Sequence, residues 1–418
     1  MVFTQRLGSD FFETVQRGVI ERLREAGLDA VVTADPEDVA YLTGFFHHPG
    51  ERPLVVWLEA SGRCVLLLPA LEREHAESQS AHAELVDYPE FPGVVSPWDV
   101  LAERVRPAAV AGFSSVSSSA STPGAAASSS SASARLRVGH STTISYERLV
   151  AATRAFSFAT LEPTDVILRS RFIKQPGEVE LHREAARITD RMLDAGVRLV
   201  RDAVVAGGQM PSEAELAAHV GRIGTGIMYD EHADVVVGSF LAGGLVYSGA
   251  NSSKPHGLPS SYRLRPGDTF MLSLGCAVGG RFVEGERTFV MGEPTASQIR
   301  YHDAIYEAQK RGRETIRAGL ECREANELCL DVIRGAGLGE YILHRQGHGI
   351  GLGMHEPPWL EAGDATVLEA GMVVSNEPGI YVTGHAGYRI SDSMLVTAEG
   401  AEPLTSFPRR LDDCLIEL

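Results

Sequence analysis

The stretch GHGIGLGMHEPP (347–358) carries the most information about the fold. Gly347, Gly349, Gly351 and Gly353 alternate with His348, Ile350, Leu352 and Met354. A glycine at every second position of an extended segment lets the backbone come close to a neighbour along one face. His348 and His355 are poor packing material in such a segment, and a functional role is the better reading for both. Downstream, NEPGIY (376–381) sets Glu377 directly before Pro378 and Gly379. Proline removes a backbone donor and glycine permits a sharp bend, so the carboxylate sits where regular pairing stops. The flanking apolar runs VVS and IYV argue that Glu377 is partly buried. A buried carboxylate needs a partner, and His348 and His355 are the obvious ones.

Further out, SGANSSKPHGLP (248–259) holds His256 in a polar loop bounded by glycine and proline. Taken by itself, this is a surface histidine. EGERT (284–288) offers Glu284 and Glu286 at strand spacing, so both can face one side. By themselves they read as a charged edge strand. LRPGDTFMLSLG (264–275) and LEAGMVVSNEPG (368–379) echo each other, each a turn feeding an apolar strand that ends on a polar residue, Ser273 in one copy and Glu377 in the other. Two such strand ends related by a pseudo-two-fold would point into one shared pocket.

The rest of the chain divides into two parts. Residues 9–27 have the apolar spacing of an amphipathic helix, with Ser9 or Asp10 as cap and Gly27 as stop. A short strand follows over 28–33, Asp35-Pro36 predicts a helix start, and PLVVWLEASGRCVLLLP (53–69) predicts paired strands. Alternating strands and helices make 1–165 an α/β domain, interrupted by a Ser/Ala-rich stretch, 113–134, that reads as a flexible loop. The second domain, 166–418, shows helical periodicity over 178–204, 295–318 and 324–335, and extended runs near 233–238 and 269–274.

Composition narrows the function classes. The 418 residues carry 38 Lys and Arg against 55 Asp and Glu, a formal charge of −17. Nucleic-acid backbones and anionic membranes reward clustered cations, so neither is expected as a partner. No run of 18 apolar residues predicts a membrane span. Charges in the first residues, MVFTQRLGSD, break the apolar core a signal peptide needs. Five scattered cysteines without a CxxC pair read as reduced, buried thiols, and a cytoplasmic location is expected.

GHGIGLGMHE, NEPGIY, and SGAN…PH with PGD following, taken together and in this order, resemble the pita-bread hydrolases: creatinase, aminopeptidase P, prolidase and methionine aminopeptidase. LDAVVTADPEDVAYLTGFF is similar to the N-terminal domain of creatinase and prolidase. The resemblance implies an α/β N-terminal domain followed by an α+β pita-bread catalytic domain with an internal pseudo-two-fold, and a homodimer. Metal-dependent members of the family hold two divalent ions with two Asp, one His and two Glu. Here the His and one Glu correspond to His348 and Glu377. The first Asp position is Ser273, the second falls at or beside Glu284, and the last Glu position is Ser391, two residues after Arg389. A serine supplies neither charge nor a bridge between cations. ERT resembles the substrate-binding segment of creatinase, with Glu286 where a guanidinium would be met, and Trp359 stands where creatinase has a carboxylate-binding arginine.

These departures predict a hydrolase of a C–N bond in a small, amino-acid-like substrate that works without a cofactor. In that scheme His256 moves the proton, Glu377 and Glu286 anchor the substrate, and His348 with His355 donate to the developing oxyanion. Glu284, Arg389, Trp359, Ser391 and Ser273 complete the substrate surface. One alternative is a metal-dependent Xaa-Pro dipeptidase or aminopeptidase, with Mn²⁺ or another divalent ion weakly bound by His348, Glu377 and Glu284. A second is a non-catalytic binding protein.

Overall fold

The computed structural model describes residues 2–107 and 135–418, so the stretch 113–134 lies outside them. It contains two compact units, one spanning Gly8–Ser170 and the other Arg171–Leu418 with the first residues up to Leu7.

In the first unit six strands form one sheet: β1 (Ala30–Thr33), β2 (Val55–Glu59), β3 (Cys64–Pro69), β4 (Glu84–Tyr88), β5 (Leu136–Ser141) and β6 (Ala159–Thr164), in the order β4-β3-β2-β1-β5-β6. The two apolar runs of 53–69 pair as antiparallel β2 and β3, Val55 opposite Leu67. Asp35 caps the helix Pro36–Thr43 by accepting from the amides of Glu37 and Asp38, and Pro36 supplies its first turn. The preceding helix, Ser9–Glu25, is capped at Gly8 without a side-chain bond, so Ser9 and Asp10 lie inside the helix. Val32, Trp57, Leu67, Val138 and Phe156 meet in the core.

The second unit is built on a curled nine-stranded sheet. Its main strands are β7 (Ala242–Ser248), β8 (Thr269–Val278), β9 (Arg281–Met291), β10 (Gly347–Gly349), β11 (Glu356–Leu360), β12 (Val373–Asn376) and, after the small pair β13 (Gly379–Val382) and β14 (Ala386–Arg389), β15 (Ser391–Val396). The order is β11-β10-β12-β15-β9-β8-β7. The helix Pro176–Ala206 buries Leu181, Ile188, Met192 and Val200 against Leu272 and Phe289 of the sheet, the face its apolar spacing marks out. The extended run expected at 233–238 is not a strand. Its amides are taken instead by the N-terminal segment, Ala233 bonding to Phe3 O and Val236 to the Gln5 side chain. No described helix is long and apolar enough to cross a membrane. All five cysteines are buried and free.

The sequence echo is visible in the strand order. β8 with β9 and β12 with β15 lie on either side of the β9–β15 junction, and Ser273 and Glu377 both line one cavity, although β8 runs on to Val278 and Ser273 is not its end. Behind that junction Arg287 and Asp392, both fully buried, pair at 2.8 Å. Arg287 also donates to the carbonyl of Ser391, which ties β9 to β15. Such a pair fixes register more than it adds stability.

Candidate active site

A cavity of about 1130 Å³ opens in the second unit, and His256, Ser273, Glu284, Glu286, His348, His355, Glu377 and Arg389 all reach it. Its floor is set by the glycine alternation. A Cβ at Gly347 would strike the backbone of Ser375, one at Gly349 the backbone of Pro357, and one at Gly351 the Glu356 carboxylate. Each glycine therefore lets β10 press against its neighbours and hold His348 in place. Glu356 is itself fixed by Lys174 at 3.1 Å and Arg171 at 2.5 Å, both buried.

His348 is 1% exposed, and its ring is oriented from behind. Nδ1 lies 3.0 Å from the carbonyl of Gly349, which can only accept, so Nδ1 carries the proton. Nε2 then faces the cavity, 3.2 Å from Glu377 Oε1 and 3.7 Å from Glu284 Oε2, without hydrogen-bond geometry to either. The His355 ring lies with its centroid 4.0 Å from that of His348. Ligand atoms of Glu284, His348 and His355 lie within 4.8 Å of one another. Burial raises the Glu284 pKa, and the Glu377 carboxylate raises it further. Burial also opposes ionisation of Glu377, but contact with His348 outweighs it and holds that carboxyl below the usual range. Burial, then the neighbouring His348, lowers His355 to about 4, so one of its ring nitrogens keeps its lone pair at neutral pH. Burial opposes protonation of His348, but Glu377 and Glu284 outweigh it and raise its pKa to about 9, so the imidazole itself answers the carboxylates until another cation takes its proton's place.

Next to this cluster the charges are paired. Ser273, Glu286 and Ser391 stand side by side on β8, β9 and β15. Arg389 donates to Glu286 at 2.7 Å, to Ser273 Oγ at 3.0 Å and to Tyr381 Oη at 3.1 Å. Ser273 donates to Glu286, and Ser391 donates to Glu284 at 2.8 Å. Ser391 is fully buried and reaches the cavity only through Glu284. Trp359 is not in the cavity wall. It pairs with His348 across β10 and β11 and carries the Arg345 guanidinium on its ring, 4.2 Å from the centroid.

His256 is exposed on its loop, and Glu213 holds both ends of that loop. The Glu213 carboxylate accepts from the Ser248 amide at 2.7 Å and from the Ser260 amide and hydroxyl at 2.8 and 2.6 Å. Sequence reasoning missed Glu213, whose signal was a buried acid in a capping turn (PSEAEL). It also missed His344, which lines the cavity, and Tyr381, which meets it at 2.8 Å from behind, their signal being their place beside GHG and inside NEPGIY.

A curled sheet whose strand ends gather carboxylates and imidazoles around one cavity defines a hydrolase of the creatinase and prolidase fold. Comparison with known proteins agrees. Residues 180–398 match the model of metallopeptidase family M24, and residues 17–171 match the creatinase/prolidase N-terminal domain. The chain belongs to metallopeptidase family M24. It is 26% identical over 94% of its length to an uncharacterized peptidase of Staphylococcus saprophyticus, of which 99% is covered. Among solved structures it is similar to an Xaa-Pro dipeptidase from Bacillus anthracis, with 28% identity, 96% and 99% of the chains covered and a TM-score of 0.78. It is also similar to a prolidase from Pyrococcus furiosus, with 26% identity, 93% and 100% covered and a TM-score of 0.74.

The expectation of a site without a cofactor is overturned. The family is one of metallopeptidases, and the cluster of Glu284, His348 and His355 has the composition of a metal site. The residues fit a divalent ion on a structural ground as well: His348 Nε2 is a buried nitrogen with no hydrogen-bond partner, aimed at two carboxylates. The creatinase-like branch falls with that expectation. Its error was to count inherited ligand positions one at a time. Folding brings His355 beside Glu284 and His348, a neighbour that such a count omits.

Proposed function

We propose that this protein is a metal-dependent dipeptidase of the Xaa-Pro type. The observation that carries the reading is the unpartnered Nε2 of His348, facing Glu284 and Glu377 with His355 beside it. Those four residues would hold a divalent ion, whose Lewis acidity would polarise the scissile carbonyl when bound. The Gly349 carbonyl keeps His348 in the tautomer that presents Nε2. His256, exposed on a loop pinned by Glu213, is placed to hand a proton to the leaving nitrogen. Arg345 and Glu361, paired at 2.9 Å at the cavity wall, offer opposite charges for the ends of a short peptide. A cavity of about 1130 Å³ has room for a dipeptide, and the likeness to the Bacillus anthracis dipeptidase supports that size class. The homodimer belongs to the same proposal and is checked by sedimentation velocity.

The test is to strip the protein with chelator, restore Mn²⁺, and follow release of free amino acids from Xaa-Pro and other dipeptides. Turnover of Xaa-Pro substrates that chelation abolishes and Mn²⁺ restores is the expected result. Turnover that survives chelation, or none on any dipeptide, counts against the proposal.

A further inference from the structure

A site for two divalent ions needs carboxylates enough to balance four positive charges and to bridge the ions. The row next to the His348 cluster cannot supply them. Of Ser273, Glu286 and Ser391, which stand in register on three adjacent strands, only Glu286 carries charge. That charge is already matched by Arg389, 5% exposed, which donates to both Glu286 and Ser273. The guanidinium is held on its other side by Tyr381. On the near side, Glu284 and Glu377 flank Nε2 of His348 at 3.7 and 3.2 Å, and ionised together they would balance one dication.

We propose that Arg389, clamped by Glu286 and Ser273, occupies the place of a second metal ion as a built-in cation, so that the protein takes one divalent ion per chain at Glu284, His348, Glu377 and His355. A fixed guanidinium costs no metal and cannot be lost to chelation, yet it keeps positive charge beside the first ion. The inference rests on the metal-dependent reading above and adds the stoichiometry to it.

Calorimetric titration of chelator-stripped protein with MnCl₂, backed by elemental analysis after gel filtration, should give one ion per chain. Two ions per chain overturn the inference and leave the dipeptidase reading standing. No bound ion overturns both. One ion with no turnover of any dipeptide sinks the dipeptidase reading alone. Arg389→Met removes the cation and frees the Glu286 charge without adding a ligand, so the chain should still take one Mn²⁺ but bind it at least about tenfold more tightly. Unchanged affinity in a folded Arg389→Met would show that the guanidinium does not act as a cation on the site. Should Arg389→Met fail to fold, Glu286→Gln serves instead. It leaves Arg389 uncompensated beside the site and should weaken Mn²⁺ binding by at least about tenfold. Unchanged affinity in a folded Glu286→Gln would break the electrostatic link and with it the inference.

Discussion

The two sides of the cavity are made from the same repeat, but their charges end differently. On the side of β10 and β12, Glu377 and Glu284 flank an imidazole nitrogen at 3.2 and 3.7 Å without hydrogen-bond geometry to either. On the side of β8 and β14, Glu286 is closed by Arg389, and Ser273 is bonded to both. Ser273 and Glu377 occupy equivalent places in the echo, but Ser273 is a neutral hydroxyl in the middle of β8 and Glu377 a carboxylate just beyond the end of β12. A buried acid with no protein cation is a request for a ligand, whereas a buried acid with an arginine is already answered. On the proposal above, the open side would hold the ion and the closed side would shape the pocket around it.

Breaking the open side should have the largest effect. His348→Ala removes the free nitrogen, and both Mn²⁺ affinity and dipeptide turnover should fall by about 10³-fold, equivalent to roughly 4 kcal/mol. Retained Mn²⁺ affinity in that variant would move the metal elsewhere. The closed side is tested by stability. Arg389→Met strands the buried Glu286 charge and should cost about 3 to 5 kcal/mol of unfolding free energy in metal-free protein, read by urea denaturation. A loss under about 1 kcal/mol would mean that the pair is solvated in solution.

His256 belongs to neither side, and His256→Ala should separate chemistry from binding. Turnover should drop by about 10²-fold while Mn²⁺ affinity and melting temperature stay put, since the side chain is exposed on its loop. A parallel fall in metal affinity would make His256 a ligand instead. The smallest effect is expected from Ser273→Ala, which takes one hydroxyl from the closed side and should cost about 1 kcal/mol of stability. Its ion count should remain that of the parent, and a changed count would mean that Ser273 ligates.

The fold was largely legible because its signals are local. Gly347, Gly349 and Gly351 announced close backbone approach, and the structure shows what approaches: Ser375, Pro357 and Glu356. Asp35-Pro36 announced a helix start, and the echo of 264–275 in 368–379 announced two strands feeding one pocket. The run at 233–238 misled because its composition suits a strand while its partners come from the first residues of the chain. The site was legible as a set of residues and not as a set of charges. His256, Ser273, Glu284, Glu286, His348, His355, Glu377 and Arg389 all reach the cavity, whereas Trp359 does not.

The sequence by itself determined which residue types stand at the strand ends, because side-chain alternation and turn chemistry are properties of neighbours along the chain. Only the tertiary structure decided which acid meets which cation. Glu284 and Glu286 are two residues apart on one strand face and look interchangeable in sequence. One lies within 3.7 Å of a free imidazole nitrogen while the other is held by a guanidinium from β14. Their environments, and so their roles, are set by groups about a hundred residues away, through distances and burial that no local pattern encodes.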